Sequence, residues 1–253
     1  MIPFLRTKSV GIEFPVESDE LDQKILRHVI DGGLSMVSRQ RLFATLMSSR
    51  YVCDAGISGA FVECGVWRGG NAIIAADVFN RHGRNESVYL FDTFTGMTEP
   101  TEYDFDNRRH ELARNRFEEE RRVAQSKVAS ALIRVLRPRR RRYASLEEVK
   151  QHVLDAGIPM DRVEFIKGDV LETLNDEGNL PQRISVLRLD TDWYESTKKE
   201  LEVLWPRLSP GGILMIDDYG HWAGAKKAVD EYFNGRRPFL HYIDHTGRLT
   251  IKT

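Results

Sequence analysis

The sequence predicts a doubly wound α/β fold, a mostly parallel sheet flanked by helices on both faces. Three observations carry that prediction. Apolar, β-prone runs alternate with stretches of helical periodicity along the chain. Several runs stop abruptly at acids, at Asp92, Asp190 and Asp217 above all, as buried parallel strands stop where such a sheet opens to ligand. The first run leads into a glycine-rich turn that starts a helix.

A chain of 253 residues can bury a substantial core, and no break in composition divides it, so residues 1–253 are expected to form one domain. The 37 Lys and Arg nearly cancel the 38 Asp and Glu, which leaves no global field for nucleic acid or an anionic membrane. Cys53 and Cys64 are too few for a disulfide framework, and a reducing cytoplasm is the expected setting. Residues 1–6 lack the apolar stretch of a signal peptide, and no apolar run approaches a membrane span. The expectation is a soluble cytoplasmic protein with neither a nucleic-acid nor a membrane partner.

Residues 1–56 read as a helical cap. Leu21, Ile25 and Val29 share one stripe, Leu42, Phe43, Leu46 and Met47 another, and Gly32-Gly33 separates them. Core packing is the expected role, with a cover for a ligand or a dimer interface as the alternative. Ser38 and Arg39 could reach a ligand. Residues 60–65 form the first strand, followed by Val66-Trp67-Arg68-Gly69-Gly70-Asn71 and a helix through Ala72, Ile73, Ala76 and Val78. Such glycines bring backbone amides close to a ligand, although the spacing is not the dinucleotide fingerprint. Glu63, just before the turn, either binds a cationic amino group or caps a backbone amide.

Residues 87–92 form the second strand, and Asp92 stands where a doubly wound nucleoside site places an acceptor for ribose hydroxyls. The distance from Thr93 to the next strand at Arg162, about seventy residues, exceeds what a crossover helix needs, so an insertion is expected over residues 96–144. It holds acidic Tyr103-Asp104-Phe105-Asp106, a charged helix and the run Arg137-Pro138-Arg139-Arg140-Arg141-Arg142, and it suits an active-site lid. The arginine run reads as a solvated face or a partner contact rather than an RNA site.

Ser145-Leu146-Glu147-Glu148 has capping-box spacing for a crossover helix that Gly157 and Pro159 close. The third strand, residues 162–167, ends at Gly168-Asp169, where the acid either reaches an adenine amino group or forms a turn. The fourth, residues 184–189, delivers Asp190 and Asp192. A helix marked by Leu201, Leu204, Trp205 and Leu208 follows, and Pro210-Gly211-Gly212 turns the chain into the fifth strand, residues 213–216, which delivers Asp217 and Asp218. Trp222, Ala225, Val229 and Phe233 mark the last helix. Residues 239–243 and 248–251 read as a closing antiparallel hairpin.

Asp190, Asp192, Asp217 and Asp218 thus meet at two strand ends. Four carboxylates in one place repel unless a cation or a proton intervenes. Oxygen donors suit a hard cation such as Mg2+. The seven histidines are scattered, with His221 alone near the site, so zinc is not indicated. Asp190, Asp217 and Asp218 are the expected metal ligands. Asp192, two residues beyond Asp190 and on the same side of an extended chain, is the expected base for a hydroxyl held at the cation.

Four segments carry a family resemblance. Phe61-Val62-Glu63-Cys64-Gly65-Val66-Trp67-Arg68-Gly69-Gly70, Leu90-Phe91-Asp92-Thr93-Phe94-Thr95-Gly96-Met97, Arg188-Leu189-Asp190-Thr191-Asp192-Trp193-Tyr194-Glu195-Ser196-Thr197 and Asp217-Asp218-Tyr219-Gly220 closely resemble the macrocin and mycinamicin sugar O-methyltransferases of the TylF type. They are similar also to the noviose O-methyltransferases of aminocoumarin pathways, and the resemblance runs over about residues 36–233. It implies a class I S-adenosylmethionine-dependent methyltransferase with a seven-stranded Rossmann-like sheet, N-terminal helices and an inserted lid. Glu63 and the turn at Gly65 and Val66 would face the methionine part, Asp92 the ribose and Asp169 the adenine, with Thr93 and Asp190 as further cofactor contacts. Asp190, Asp217 and Asp218 match the family's Mg2+ ligands and Asp192 its base. The implied reaction is methylation of a sugar hydroxyl on a small-molecule glycoside by a homo-oligomer. A metal-dependent methyltransferase of catechol-like diols is the nearest alternative, and an RNA-binding protein or a cofactor-binding protein without turnover are the readings from other classes.

Overall fold

The computed structural model describes residues 14–125, 143–236 and 238–253, so the arginine run at 137–142 lies outside the described residues. In chain order the helices are α1 (Glu20–Gly32), α2 (Arg39–Asp54), α3 (Gly70–Arg81), α4 (Ala113–Gln125), α5 (Leu146–Asp155), α6 (Val170–Thr173), α7 (Tyr194–Leu204) and α8 (Ala223–Phe233). The strands are β1 (Ala60–Cys64), β2 (Val88–Asp92), β3 (Phe105–Asp106), β4 (Glu111–Leu112), β5 (Val163–Lys167), β6 (Ile184–Leu189), β7 (Leu208–Ile216), β8 (His241–Tyr242) and β9 (Arg248–Ile251). Seven of them form one sheet in the order β5-β2-β1-β6-β7-β9-β8. β1, β2, β5, β6 and β7 run parallel, and β9 and β8 close the edge antiparallel.

Alternation along each strand splits the core in two. Phe61, Val186, Ile213 and Met215 pack on one face with Val29, Leu46, Ile73 and Val149 of the helices there. Their neighbours Val62, Leu187, Leu214 and Ile216 pack on the other with Leu201 and Val229. Burial on both faces is why these strands read as continuous apolar runs. Connections run one way from β1 to β2 and β5, then the other way through β6 and β7, so the topological switch lies between β1 and β6. In such sheets ligands bind beyond the carboxyl ends of the strands at that switch.

Capping sets the helix limits. Asp19 and Asp22 cap the start of α1 reciprocally, and Gly33 ends it in the left-handed conformation. Ser38 caps α2 and Ser145 caps α5 through their hydroxyls. Two expected stripe members are exposed, Leu21 and Met47. Four residues of helix advance about 400°, so a stripe spaced by fours drifts about 40° per step, and Leu26 takes the buried place on α1 that Leu21 cannot reach. Pro210-Gly211-Gly212 is part of β7 rather than a turn before it. The extra length is absorbed as a register shift against β6, between the pairs Ile184–Leu208 and Val186–Ile213. Within the insertion, β3 and β4 form a small antiparallel hairpin that leads into α4. Among the described residues no helix is long and apolar enough to cross a membrane.

Candidate active site

The carboxyl ends of four strands, β2, β1, β6 and β7, are laced together by backbone bonds. Gly65 N–H donates to Phe91 O, Asp190 N–H to Cys64 O and Asp217 N–H to Leu189 O, each at 2.9 Å. Those bonds carry the ladder past the last strand residues and set Asp190 between the turn after β1 and the acid pair after β7. Gly65 has φ +83°, and a Cβ there would lie 2.0 Å from the Asp190 carbonyl oxygen, so the close approach requires glycine. Gly70 N–H donates to Leu34 O at 3.0 Å, which ties the turn to the segment between α1 and α2. Trp67, Phe94 and Asp192, in the loops after β1, β2 and β6, have φ values of 48°, 53° and 68°. Left-handed backbone at non-glycine residues is strained, and the strain is concentrated at the ligand-facing end of the sheet.

Of the residues expected to hold the cofactor, Gly65, Val66, Asp92, Thr93, Asp169 and Asp190 lie on this rim of strand ends, and Glu63 lies buried inside β1. Asp92 accepts at Oδ2 from Val66 N–H at 2.7 Å and Trp67 N–H at 3.1 Å, and at Oδ1 from Phe94 N–H at 2.7 Å. It therefore joins the two loops it stands between and keeps lone pairs for a further donor. The Thr93 hydroxyl donates to Gly96 O at 2.5 Å and bends the chain after β2. Asp169 caps the short helix α6 through Leu171 N–H at 2.9 Å. Of its two expected roles, the turn-forming one is present, at the mouth of the same rim.

The acids are not left to repel one another. Arg188, 1% exposed in the middle of the sheet, reaches three of them: Nη1 lies 2.8 Å from Glu63 Oε1 and 2.7 Å from Asp190 Oδ2, and Nη2 donates to Asp217 Oδ1. Arg41 of α2 donates through Nη1 to the other oxygen of Asp217 and lies 3.0 Å through Nε from Asp244 Oδ2. Asp244 in turn accepts from Ser38 Oγ, Thr246 N–H and Gly247 N–H, and these bonds with Arg41 hold its carboxyl below the usual range despite partial burial. Asp217 is thus gripped by two guanidiniums. Asp190, Asp192 and Asp218 instead bring one carboxylate oxygen each within 4.8 Å of one another.

Six carboxyls at this end, Glu63, Asp190, Asp192, Asp217, Asp218 and Asp244, share two guanidiniums, and the imbalance shows in their proton affinities. Burial pushes Glu63 up to about 7 against the pull of Arg188. Burial, opposed by Arg188 and reinforced by Asp217, raises Asp190 well above an ordinary aspartate. Asp218 is raised as strongly by burial and then by Asp192 and Asp190, and Asp192 is raised by burial. Asp218 Oδ2 is buried without a hydrogen-bond partner. Hard oxygen donors with uncompensated negative charge and an orphaned, buried carboxylate oxygen fit a divalent cation such as Mg2+.

Two tryptophan rings adjoin Asp192. Trp222 Nε1 donates to Asp192 Oδ1 at 3.0 Å, and Trp222 meets Trp193 edge to face at 5.0 Å. The insertion is fastened to the same loops. Trp193 Nε1 donates to Thr98 O at 2.9 Å, Asp104 Oδ1 accepts from Tyr194 N–H at 2.8 Å, and Asp106 pairs with His221 Nε2 at 3.2 Å.

Three residues of the charge network, Arg188, Arg41 and Asp244, carry no expectation from sequence. Arg188 had a visible signal, a cation inside a strand buried at every position. Arg41 had none, because its partner Asp217 is 176 residues away. Ser38 proves to be a helix cap bound to Asp244, and no contact of Arg39 brings it to the site.

The model of the family described as Macrocin-O-methyltransferase (TylF) matches residues 19–135 and 138–248. The 8-demethyl-8-(2,3-dimethoxy-alpha-L-rhamnosyl)-tetracenomycin-C 4'-O-methyltransferase of Streptomyces olivaceus is 34% identical over 199 residues, 78% of this chain and 67% of the relative. The mycinamicin III 3''-O-methyltransferase of Micromonospora griseorubida is 32% identical over 229 residues, 90% and 78% of the two chains. Among solved structures, the O-methyltransferase NovP superposes with a TM-score of 0.69 at 28% identity, over 87% of this chain and 82% of that one. The sheet, its switch point and the antiparallel closing strands are those of the class I methyltransferase fold.

Proposed function

We propose, on the premise that the chain belongs to the macrocin O-methyltransferase (TylF) family and is an S-adenosylmethionine-dependent O-methyltransferase, that it methylates a sugar hydroxyl of a glycosylated natural product with the help of Mg2+. One observation carries the metal requirement, the approach of one carboxylate oxygen each of Asp190, Asp192 and Asp218 to within 4.8 Å of one another, with Asp218 Oδ2 buried and unpartnered. The sugar acceptor is supported by the relatives, one named for 4'-O-methylation of a rhamnosyl-tetracenomycin and one for 3''-O-methylation of mycinamicin III.

Asp190, Asp217 and Asp218 are the proposed ligands. The ion pairs of Asp217 do not bar it, because a carboxylate has about four lone-pair sites and two guanidinium bonds leave the others open. Bound there, Mg2+ supplies positive charge against the negative charge that develops on the acceptor oxygen. Asp192 takes the hydroxyl proton, held at the right angle by Trp222 Nε1. Glu63, the turn at Gly65 and Val66, Asp92, Thr93, Asp169 and Asp190 line the methyl donor. Trp193, Trp222 and the hairpin β3–β4 shield the acceptor, the part expected of a lid.

Chelation, or Asp218→Asn, is expected to lower turnover by about a hundredfold or more while S-adenosylmethionine affinity, measured calorimetrically, stays within a few fold. Full activity in excess chelator would remove the metal. For Asp192→Asn, Mg2+ affinity should persist while the single-turnover rate drops by about a hundredfold; lost Mg2+ affinity would instead make Asp192 the third ligand in place of Asp217. Glycosides and catechols screened side by side for methyl acceptance test the substrate class, and turnover of catechols alone overturns the sugar assignment.

A further inference from the structure

Helix α7 begins two residues beyond Asp192 and turns Glu200 toward the sheet. The side chain is 0% exposed. Its Oε1 accepts from Thr191 Oγ1 at 2.8 Å, and the same hydroxyl lies 2.8 Å from Ser196 Oγ. Oε2 is buried with no hydrogen-bond partner that meets ordinary geometry. Thr191 is the residue between Asp190 and Asp192, and its carbonyl closes a tight turn by accepting from Trp193 N–H at 2.8 Å. Asp192 sits inside that turn at φ +68°, a conformation that persists only where surrounding contacts impose it.

We propose that Glu200 is a positioning residue for methyl transfer, which grips Thr191 from beneath and so fixes the spacing and direction of the two carboxylates beside it. The proposal rests on the reading that Asp190 and Asp192 serve the reaction. It differs from that reading in its site of action, since Glu200 touches neither acid, cofactor nor acceptor.

The groups that face Glu200 are the Cys64 thiol from β1, the Thr191 hydroxyl from the loop after β6 and Asp169 from the end of β5. Among the described residues no Lys or Arg forms an ion pair with it. A carboxylate buried in apolar surroundings without a counter-charge keeps its proton, and burial pushes Glu200 up to about 8. Glu200 therefore grips Thr191 as a neutral acid, a form that glutamine reproduces in shape and charge.

The test compares Glu200→Gln and Glu200→Ala in the full chain, with kcat, KM and melting temperature followed across pH. Glu200→Gln is expected to keep kcat within about threefold, and Glu200→Ala to lose about tenfold or more with KM for S-adenosylmethionine unchanged, as a misplaced catalytic group requires. Melting gives a readout that does not depend on turnover. The folded protein holds the Glu200 proton more tightly than the unfolded chain, whose glutamate titrates near 4.5. Its contribution is full below that pH and is lost as pH rises through about 8. The melting temperature of Glu200→Gln should therefore gain on the wild type between pH 5 and 8 and level off above. A gap independent of pH, a glutamine variant as impaired as the alanine variant, or an alanine variant with wild-type kcat each overturns the proposal. An Asp192→Asn enzyme with full activity brings down the reading of the site and this inference together, whereas an inactive Asp192→Asn beside an active Glu200→Ala brings down the inference alone.

Discussion

A single hydrogen atom decides the geometry at Gly65. Any side chain there meets the Asp190 carbonyl oxygen at 2.0 Å and must also adopt φ +83°. Gly65→Ala is expected to destabilise the fold by about 3 kcal/mol and to reduce methyl transfer further than the stability loss explains, read by denaturant titration beside steady-state kinetics. The acids were legible residue by residue, because carboxylates closing apolar runs have no structural reason to stand together. Their individual bonds were not. Asp92 holds three backbone N–H groups in addition to its expected place on the rim, and Asp217 is bound by two arginines. Sequence shows that a residue ends a strand; it does not show which neighbour reaches it from 125 or 176 positions away.

Among the elements, α2 links parts of the chain that periodicity treats as separate. Through Arg41 it joins Asp217 after β7 to Asp244 in the turn between β8 and β9, and Ser38 at its N-terminus binds the same Asp244. The N-terminal cap and the C-terminal hairpin thus brace one wall of the site together. Arg41→Ala is expected to cost about 3 kcal/mol, measured by chemical unfolding, and to weaken Mg2+ binding without removing it, because Arg188 still holds Asp217. The long elements were readable from their period and their caps. The hairpin β3–β4, with two residues per strand, was not, since a ladder that short has no period to detect and is held by Asp104 and Asp106 bonding to other elements. The entry of Pro210-Gly211-Gly212 into β7 escaped for a related reason, as a strand with a register shift uses the same residues as a turn.

The molecule as a whole carries a formal charge of −1, yet one end of its sheet concentrates acids. That asymmetry predicts how stability responds to pH and metal. Glu63 is raised to about 7, and Asp190 and Asp218 are raised well above the ordinary aspartate. The folded state therefore holds these protons more tightly than the unfolded chain, and the stability they contribute is complete below the unfolded carboxylate range and lost as pH rises, for Glu63 through about 7. Asp244, lowered, acts in the opposite sense, and its contribution disappears only in strong acid. Without metal, the melting temperature should fall between pH 5 and 8, and Mg2+ at a hundred times its dissociation constant should restore about 2.7 kcal/mol at the upper end. A flat profile with no response to Mg2+ would contradict the charge imbalance. The buried guanidinium of Arg188 also implies an order of events in folding. Asp190 follows it at the end of β6 and can pair with it from the same strand, whereas Glu63 comes from β1 and Asp217 from the end of β7, so the full set of bonds closes only when all three strands have docked. We predict that this closure follows the rate-limiting barrier, as a contact absent from the transition state. In a chevron experiment Arg188→Lys should steepen nothing on the refolding limb and accelerate unfolding, which makes this ion network the latch that sets how long the native state lasts.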